Sequence, residues 1–280
     1  MVRSVNAVVP LYGSKRQMAS TINQHIGRPR SYLAPFCGSC AVELAMPEPP
    51  RTGILNDLSG NLVNLLRVVA DDRNGPDLFA DLQRVTFCEE LYRDSVAWLV
   101  ANPLAPGNDF APDPYRARAY FVASWQGRNG LIGTTDEFRA GWCIRYTSSG
   151  GDPATRFAAA VQSVPDWWRI LRRFAITRRD GFELIERFED AAGACIYADP
   201  PYLDKQGVYT HDFAAADHVR LAAALRRFRA TRVVLSYYDH PQLAELYPGW
   251  RVVRVGVPKN LAVRTGPAPA PEVLLINQAA

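Results

Sequence analysis

Ser31-Tyr32-Leu33-Ala34-Pro35-Phe36-Cys37-Gly38-Ser39-Cys40, and further on Arg51-Thr52-Gly53-Ile54-Leu55-Asn56-Asp57, repeat one plan: a short apolar run ends in a turn or an acidic residue. Ser31 to Phe36 reads as a short buried strand, Gly38-Ser39 as a tight turn, and Cys40 to Met46 as a helix start halted by Pro47. Arg51 to Leu55 reads as a second strand. Leu58 to Ala70 then has helical spacing at Leu62, Leu65, Leu66 and Val69. Two strand-turn-helix units in succession predict neighbouring parallel strands, because a helical crossover returns the chain to the edge it left.

Further along, strand-like runs occur at Ala194 to Ala198 and Arg232 to Tyr238, with an amphipathic helix from about Asp217 to Arg229 between them. Arg251 to Val257 and Val273 to Ile276 are strand-like too, on either side of a Pro-rich loop around Pro267 to Pro271. The stretch after Ala70 differs in texture. It has helical patterns near Leu78 to Leu99 and Tyr115 to Trp125, then a Gly-rich segment from Gly127 to Gly151. The expected fold is α/β, a Rossmann-like, doubly wound, mostly parallel sheet built from residues 1–70 and 176–280, with residues 71–175 as an inserted, mainly helical domain.

With 280 residues, 48% of them hydrophobic and 21% charged, the chain has the profile of a soluble globular protein. A net charge of +4 fits a polyanionic partner without requiring one, and nearly all the positive charge is arginine, since lysine stands only at Lys15, Lys205 and Lys259. No signal-peptide core follows Met1, and no apolar run approaches the roughly 20 residues that span a bilayer, so a cytoplasmic protein without a membrane partner is expected. Five scattered cysteines argue against a disulfide framework. Cys37-Gly38-Ser39-Cys40 has the spacing of a redox or metal pair, and a helix start would lower a thiol pKa. No second such pair exists, and His25, His211, His218 and His240 are dispersed. Small side chains packing a turn are the preferred reading, and no metal is expected.

Ile196-Tyr197-Ala198-Asp199-Pro200-Pro201-Tyr202 places a carboxylate where an apolar strand ends, which in a parallel sheet is the edge where ligands bind. Two prolines fix φ and remove two N–H donors, so the turn presents acceptors rigidly. An exocyclic amino group suits such a turn. The Asp199 side chain and the Pro200 carbonyl would accept its two hydrogens and aim the nitrogen lone pair at an incoming methyl group, with Tyr202 stacked on an extruded base. Asp57 follows Gly38 at about the distance at which a second-strand acid meets a ribose, although a full Gly-x-Gly-x-x-Gly is absent.

In this order the motifs resemble the Dam-like N6-adenine DNA methyltransferases, in which the cofactor motif precedes an inserted target-recognition region and Asp-Pro-Pro-Tyr comes last. The resemblance covers most of the chain. It implies a class I methyltransferase fold, S-adenosylmethionine as cofactor and S-adenosylhomocysteine as product. It also implies double-stranded DNA as partner, a nucleoid-associated setting in a bacterium or phage, and a cognate restriction endonuclease as a further partner. Leu11-Tyr12-Gly13-Ser14-Lys15 resembles the N-terminal cofactor motif, which gives Tyr12, Gly13 and Lys15 cofactor roles and puts Lys15 near the catalytic pocket as well. Pro35, Phe36, Cys37, Gly38, Ser39 and Cys40 resemble the glycine loop, with Cys40 where a second glycine is usual. Asn56-Asp57 resembles the second-strand motif, Asp57 taking ribose hydroxyls. Asp180-Gly181-Phe182 resembles the adenine-pocket motif, in which Asp180 accepts from the cofactor's amino group and Phe182 packs on its ring. Tyr209 to Phe213, His218 and Ser236-Tyr237-Tyr238 resemble segments that build the target-base pocket.

In the insertion, arginines such as Arg116, Arg118, Arg139 and Arg156 alternate with Tyr115, Tyr120, Trp125 and Trp142, which suits either DNA contact or a helical core with solvated arginines. Gly127-Arg128-Asn129-Gly130 is the candidate DNA loop, with Arg128 and Asn129 able to read base edges. Three other readings stand beside this one: an amino-methyltransferase acting on cytosine N4, RNA or a protein amide; an inactive DNA-binding relative, suggested by Cys40; and, least supported, a nicotinamide-dependent oxidoreductase.

Overall fold

Ala194–Ala198 (β4) is buried along its whole length, as a continuous apolar run in the middle of a parallel sheet must be. The structure is a computed structural model that describes residues 5–11, 13–105, 107, 111–128, 141–144, 151–203, 213–255 and 271–278. The strands are β1 (Ser31–Ala34), β2 (Thr52–Asn56), β3 (Ala175–Thr177), β4, β5 (Arg232–Tyr238), β6 (Arg251–Val255) and β7 (Glu272–Ile276). Among the described residues they form one sheet in the order β3-β2-β1-β4-β5-β7-β6. Of these seven strands β7 alone runs against the direction of the rest, antiparallel to both β5 and β6. Chain direction across the sheet reverses at β1 and β4, and in such a sheet the crevice at the carboxyl ends of those two strands is where a ligand fits. The expected mostly parallel, doubly wound sheet is present.

Alternation along the strands divides the interior into two cores. Tyr32, Ala34, Cys195, Tyr197, Val234 and Leu274 face one side, while Leu33, Ile196, Ala198, Val233, Leu235 and Leu275 face the other. Against the first side lie α1 (Ala19–Ile26) and α2 (Gly60–Ala70), followed by α3 (Asn74–Leu82), α4 (Glu89–Ala101), α5 (Pro114–Gln126) and α6 (Pro153–Leu171). The second side is covered by α7 (Gly181–Arg187), α8 (Ala215–Arg226) and α9 (Gln242–Leu246). Helices α3 to α6, which lie within residues 71–175, pack on α2 and on one another in the same hydrophobic core as β1 and β2.

Several local expectations are corrected. After the glycine turn the chain makes a single 3-10 turn, Glu43–Ala45, in place of a longer helix, because Pro47, Pro49 and Pro50 remove donors and bar the helical conformation before each proline. Leu78 to Leu99 is two helices, broken between Gln83 and Cys88. Helix α6, which the sequence reading missed, carries Pro165 in its interior and starts at an Asp152 N-cap that accepts from the Thr155 N–H at 2.7 Å, with Pro153 in its first turn. No helix among the described residues is long and apolar enough to cross a membrane.

The N-terminal segment is held by these helices. Trp167 Nε1 donates to the Val5 carbonyl (2.6 Å), the Val5 N–H donates to Ser163 Oγ (2.8 Å), and Trp125 Nε1 donates to the Val8 carbonyl (2.9 Å). The Val8 N–H then donates to the Ser39 carbonyl at 3.0 Å. Residues 5–9 are thereby fixed between α5, α6 and the glycine turn, and this carries Gly13 to Lys15 to the edge of the sheet.

Candidate active site

The turn after β1 is tied to the end of β2 by side chains chosen for their bonding capacity. Asn56, 1% exposed, uses its whole amide: Nδ2 donates to the carbonyls of Pro35 and Arg179, both at 2.9 Å, and Oδ1 accepts from Thr177 Oγ1 and the Arg179 N–H, both at 2.8 Å. One side chain thus joins the carboxyl ends of β1, β2 and β3. Beside it, Asp57 Oδ2 accepts from the Gly38 N–H (3.0 Å) and Oδ1 from the Ser59 N–H (2.9 Å). Gly38 has φ 48°, and a Cβ there would stand 3.1 Å from Leu11 Cδ2, so the close approach of the N-terminal segment requires glycine.

Cys40 takes φ 54°, a left-handed conformation that a non-glycine residue adopts only at a cost in energy, and its side chain is fully buried. Its N–H donates to the Cys37 carbonyl at 2.9 Å, closing the turn. The two thiols pack the turn, as the preferred reading of the sequence has it, and neither is activated. A hydrogen bond to Cys40 and then burial push the Cys37 thiol well up, and Cys40 is also raised, because although the hydrogen bond with Cys37 lowers it, burial and the charges of Glu43 and Asp57 together outweigh that bond. No α-helix N-terminus follows to stabilise a thiolate, and Cys37 and Cys40 are both free thiols.

At the end of β4, Asp199 Oδ2 lies 2.9 Å from Lys15 Nζ, which also donates to the Gly13 carbonyl at 2.7 Å and sits 4.9 Å from the centroid of the Tyr202 ring. The Tyr202 hydroxyl is 3.2 Å from Asp199 Oδ1, 3.2 Å from Ser236 Oγ and 3.4 Å from Glu272 Oε1, so its single proton serves one carboxylate at a time. Burial drives the Asp199 carboxyl up, and the Lys15 ammonium opposes this. Burial, reinforced by the charges of Asp199 and Glu272, raises the Tyr202 phenol and keeps it a donor.

These groups share one cavity, about 1060 Å³ of space open to solvent at its mouth. Of the residues singled out in the sequence, Gly13, Lys15, Phe36, Cys37, Gly38, Ser39, Asp57, Asp199, Pro200, Pro201 and Tyr202 line it. Pro35 and Cys40 stand behind the turn. Ser236 reaches the cavity only through Tyr202, and Tyr237 faces away, its hydroxyl 2.7 Å from His218 Nδ1. Asp180 caps α7 by accepting from the Phe182 N–H at 2.8 Å. Phe182 lies between Phe213 (5.6 Å, stacked) and the Arg220 guanidinium (4.1 Å), and it backs the Phe36 and Phe213 rings that do line the cavity. Arg128 is exposed at the foot of residues 129–140, where Gly127 and Trp142 form an antiparallel bridge. Tyr12, Asn129 and Tyr209 lie outside the described residues. Arg116 and Trp125 in the helical region have structural partners: Arg116 donates to Asn61 and Asn102 and stacks on Trp98, and Trp125 is fully buried.

Sequence reasoning missed Glu43 and Glu272, both buried beside the site, and the apolar wall formed by Leu11, Leu58 and Leu62. The alternation of β7 could have put Glu272 among inward-facing positions, but nothing local in the sequence marks it as a neighbour of Asp199. Among the described residues no cluster of histidine, cysteine, aspartate or glutamate could hold a metal ion.

A doubly wound sheet with a glycine turn after β1, an acid after β2 and Asp-Pro-Pro-Tyr after β4, all at one cavity, defines a Rossmann-like methyltransferase domain. Residues 12–99 match the family described as D12 class N6 adenine-specific DNA methyltransferase. The chain is also 22% identical to the retron Ec67 DNA adenine methylase of Escherichia coli, over 98% of this chain and 92% of that protein. Over residues 12–99, the segment that carries the glycine turn and Asp57, and more weakly along its whole length, the chain is similar to N6-adenine-specific DNA methyltransferases. Among solved structures, a proposed rRNA-methylase from Clostridium thermocellum aligns at 9% identity over 93% of this chain and 94% of its own, with a TM-score of 0.38. A proposed methyltransferase in complex with S-adenosylhomocysteine aligns at 11% identity over 94% of this chain and 52% of its own, with a TM-score of 0.39.

Proposed function

We propose that the cavity binds S-adenosylmethionine and that Asp199-Pro200-Pro201-Tyr202 presents the N6 amino group of an adenine, extruded from double-stranded DNA, for methylation. One observation carries this reading: the Asp199 carboxylate stands at the end of β4 in the same cavity as the Gly38 turn and Asp57. The residues present suit the cofactor. Phe36, Phe213, Leu58 and Leu62 offer apolar and aromatic walls for an adenine ring, and Asp57 sets a carboxylate at the end of β2 in the same cavity, a group suited to ribose hydroxyls. Asp199 provides negative charge where a sulfonium centre would come.

When bound, S-adenosylmethionine supplies an electrophilic methyl group. Asp199 and the Pro200 carbonyl accept the two N6 hydrogens, which points the nitrogen lone pair away from both and fixes the line of attack. A carboxyl raised by burial is also the better acceptor for the proton that N6 must lose. Tyr202 takes the base on its ring, with its hydroxyl held by Asp199, Ser236 and Glu272. The left-handed conformation at Cys40 keeps the glycine turn closed with the thiol turned into the core, which favours an active enzyme over an inactive relative.

DNA recognition is assigned to residues 71–175, with Arg128 as a contact at the foot of the segment it leads into. Gly127 is required there because a Cβ would meet the Ala123 carbonyl oxygen at 2.5 Å. The test is transfer of labelled methyl groups from S-adenosylmethionine to unmethylated DNA, together with cofactor affinity of Asp57→Ala. Incorporation into DNA and an affinity loss of about tenfold or more, the size expected when a charged hydrogen-bond partner goes, support the proposal. Incorporation into RNA only, or full affinity in Asp57→Ala, refutes it.

A further inference from the structure

Glu272 begins β7, in register with Tyr238 on β5 and Val255 on β6, and its residue exposure is 3%. No motif marks it. Its Oε1 is 3.4 Å from the Tyr202 hydroxyl and 3.8 Å from Lys15 Nζ. Its Oε2 is buried and has no hydrogen-bond partner among the described residues. A buried carboxylate oxygen with nothing bonded to it costs free energy in the folded protein, so such an atom points to a partner that arrives.

The partner is already in the site. Lys15 donates to Asp199 at 2.9 Å and lies over the face of Tyr202, the two places that the acceptor base needs under the function proposed above. An entering base must therefore displace the ammonium, and a buried ammonium without a carboxylate is strongly unfavourable. The Gly13 carbonyl can keep one of its three hydrogens. Among the described residues, the carboxylate next nearest to Lys15 is Glu272, and a shift of about 1 Å would bring Nζ within the usual hydrogen-bond range of its Oε1, on the same carboxylate as the unpartnered Oε2.

We infer that Glu272 is a positioning residue that receives Lys15 when the amino group of the target base takes its place on Asp199. The single ammonium moves between two carboxylates and is never left without one, while the Asp199 carboxylate it vacates accepts from the amino group of the base. Glu272 touches neither base nor cofactor and acts only through Lys15 and Tyr202.

The inference rests on the methyl-transfer reading, and one experiment separates the two. Single-turnover methylation of DNA is measured for wild type, Glu272→Gln, Lys15→Met and the double variant, with cofactor affinity and thermal unfolding measured for each. Glu272→Gln should slow methyl transfer about 10- to 100-fold, as supporting residues around a reactive group usually do, while cofactor affinity stays within about twofold. The double variant should be no slower than Lys15→Met, because Glu272 has no role once the ammonium is gone. A wild-type rate in Glu272→Gln, or losses that multiply in the double variant, overturns the inference. An inactive wild type overturns the methyl-transfer reading instead. Glu272→Gln keeps shape and volume, so a folded variant is expected, and should it unfold at lower temperature, Glu272→Asp provides the charge-keeping control, with recovery of rate expected and no recovery counting against the inference.

Discussion

Replacing Glu43 with glutamine should stabilise the protein in alkali and leave it almost unchanged in acid. Glu43 opens the 3-10 turn after the glycine loop, is 1% exposed, and accepts from the Tyr32 hydroxyl at 2.6 Å. Burial raises its carboxyl from 4.5 to about 7, and the hydrogen bond from Tyr32 only partly opposes this. In the unfolded chain the group ionises near its ordinary value. Between those two pH values the folded state keeps a proton that the unfolded state has lost, so this group's contribution falls as pH rises through the window. At about 1.4 kcal/mol per pH unit, the full window is worth about 3 kcal/mol. Glutamine keeps the acceptor for Tyr32 and cannot ionise, but its amide N–H groups need acceptors, which removes about 1 kcal/mol of the gain. Urea unfolding should therefore find Glu43→Gln about 2 to 3 kcal/mol more stable than wild type near pH 8.5, with the difference nearly gone near pH 5. An advantage that does not change with pH, or a variant less stable than wild type in alkali, refutes the reasoning.

Asn56→Ala removes an amide that fills four hydrogen bonds at the ends of three strands, and chemical denaturation should show a loss of about 3 kcal/mol or more, since several buried partners lose their bonds at once. A loss below about 1 kcal/mol would mean that water or a neighbour replaces it. Cys37 and Cys40, buried and with thiols raised, should react with a thiol reagent far more slowly in the folded protein than in denaturant, and mass spectrometry of the modified peptides would show it. Rapid labelling of the native pair would mean that the turn opens.

Most of the sheet was legible in the sequence because its inner strands β1, β4, β5 and β7 are buried along most of their length and read as apolar runs ending in turns. Ala194 to Ala198 is expected and found with the same bounds. Helix α6 was hidden by Pro165, a residue that ordinarily ends a helix, and the two helices between Asn74 and Ala101 merged into one pattern because the break at Gln83 to Cys88 contains neither glycine nor proline. In the site, motifs that follow strand ends were legible, since Asp57 and Asp199 are placed by β2 and β4. Glu43 and Glu272 were not, because their nearness to Asp199 depends on the fold of the sheet, and an isolated glutamate in a sequence carries no mark of burial. The anchoring of Lys15 was likewise invisible: it depends on Trp125 and Trp167, whose indole N–H groups find backbone carbonyls more than a hundred residues away.

The most direct test of the catalytic reading is nucleoside analysis of DNA treated with wild type and with Asp199→Ala in the presence of S-adenosylmethionine, alongside a thermal melt of both proteins. N6-methyladenine is expected from wild type and none from Asp199→Ala, with the two proteins equally folded. N4-methylcytosine from wild type, or undiminished N6-methyladenine from Asp199→Ala, would contradict it.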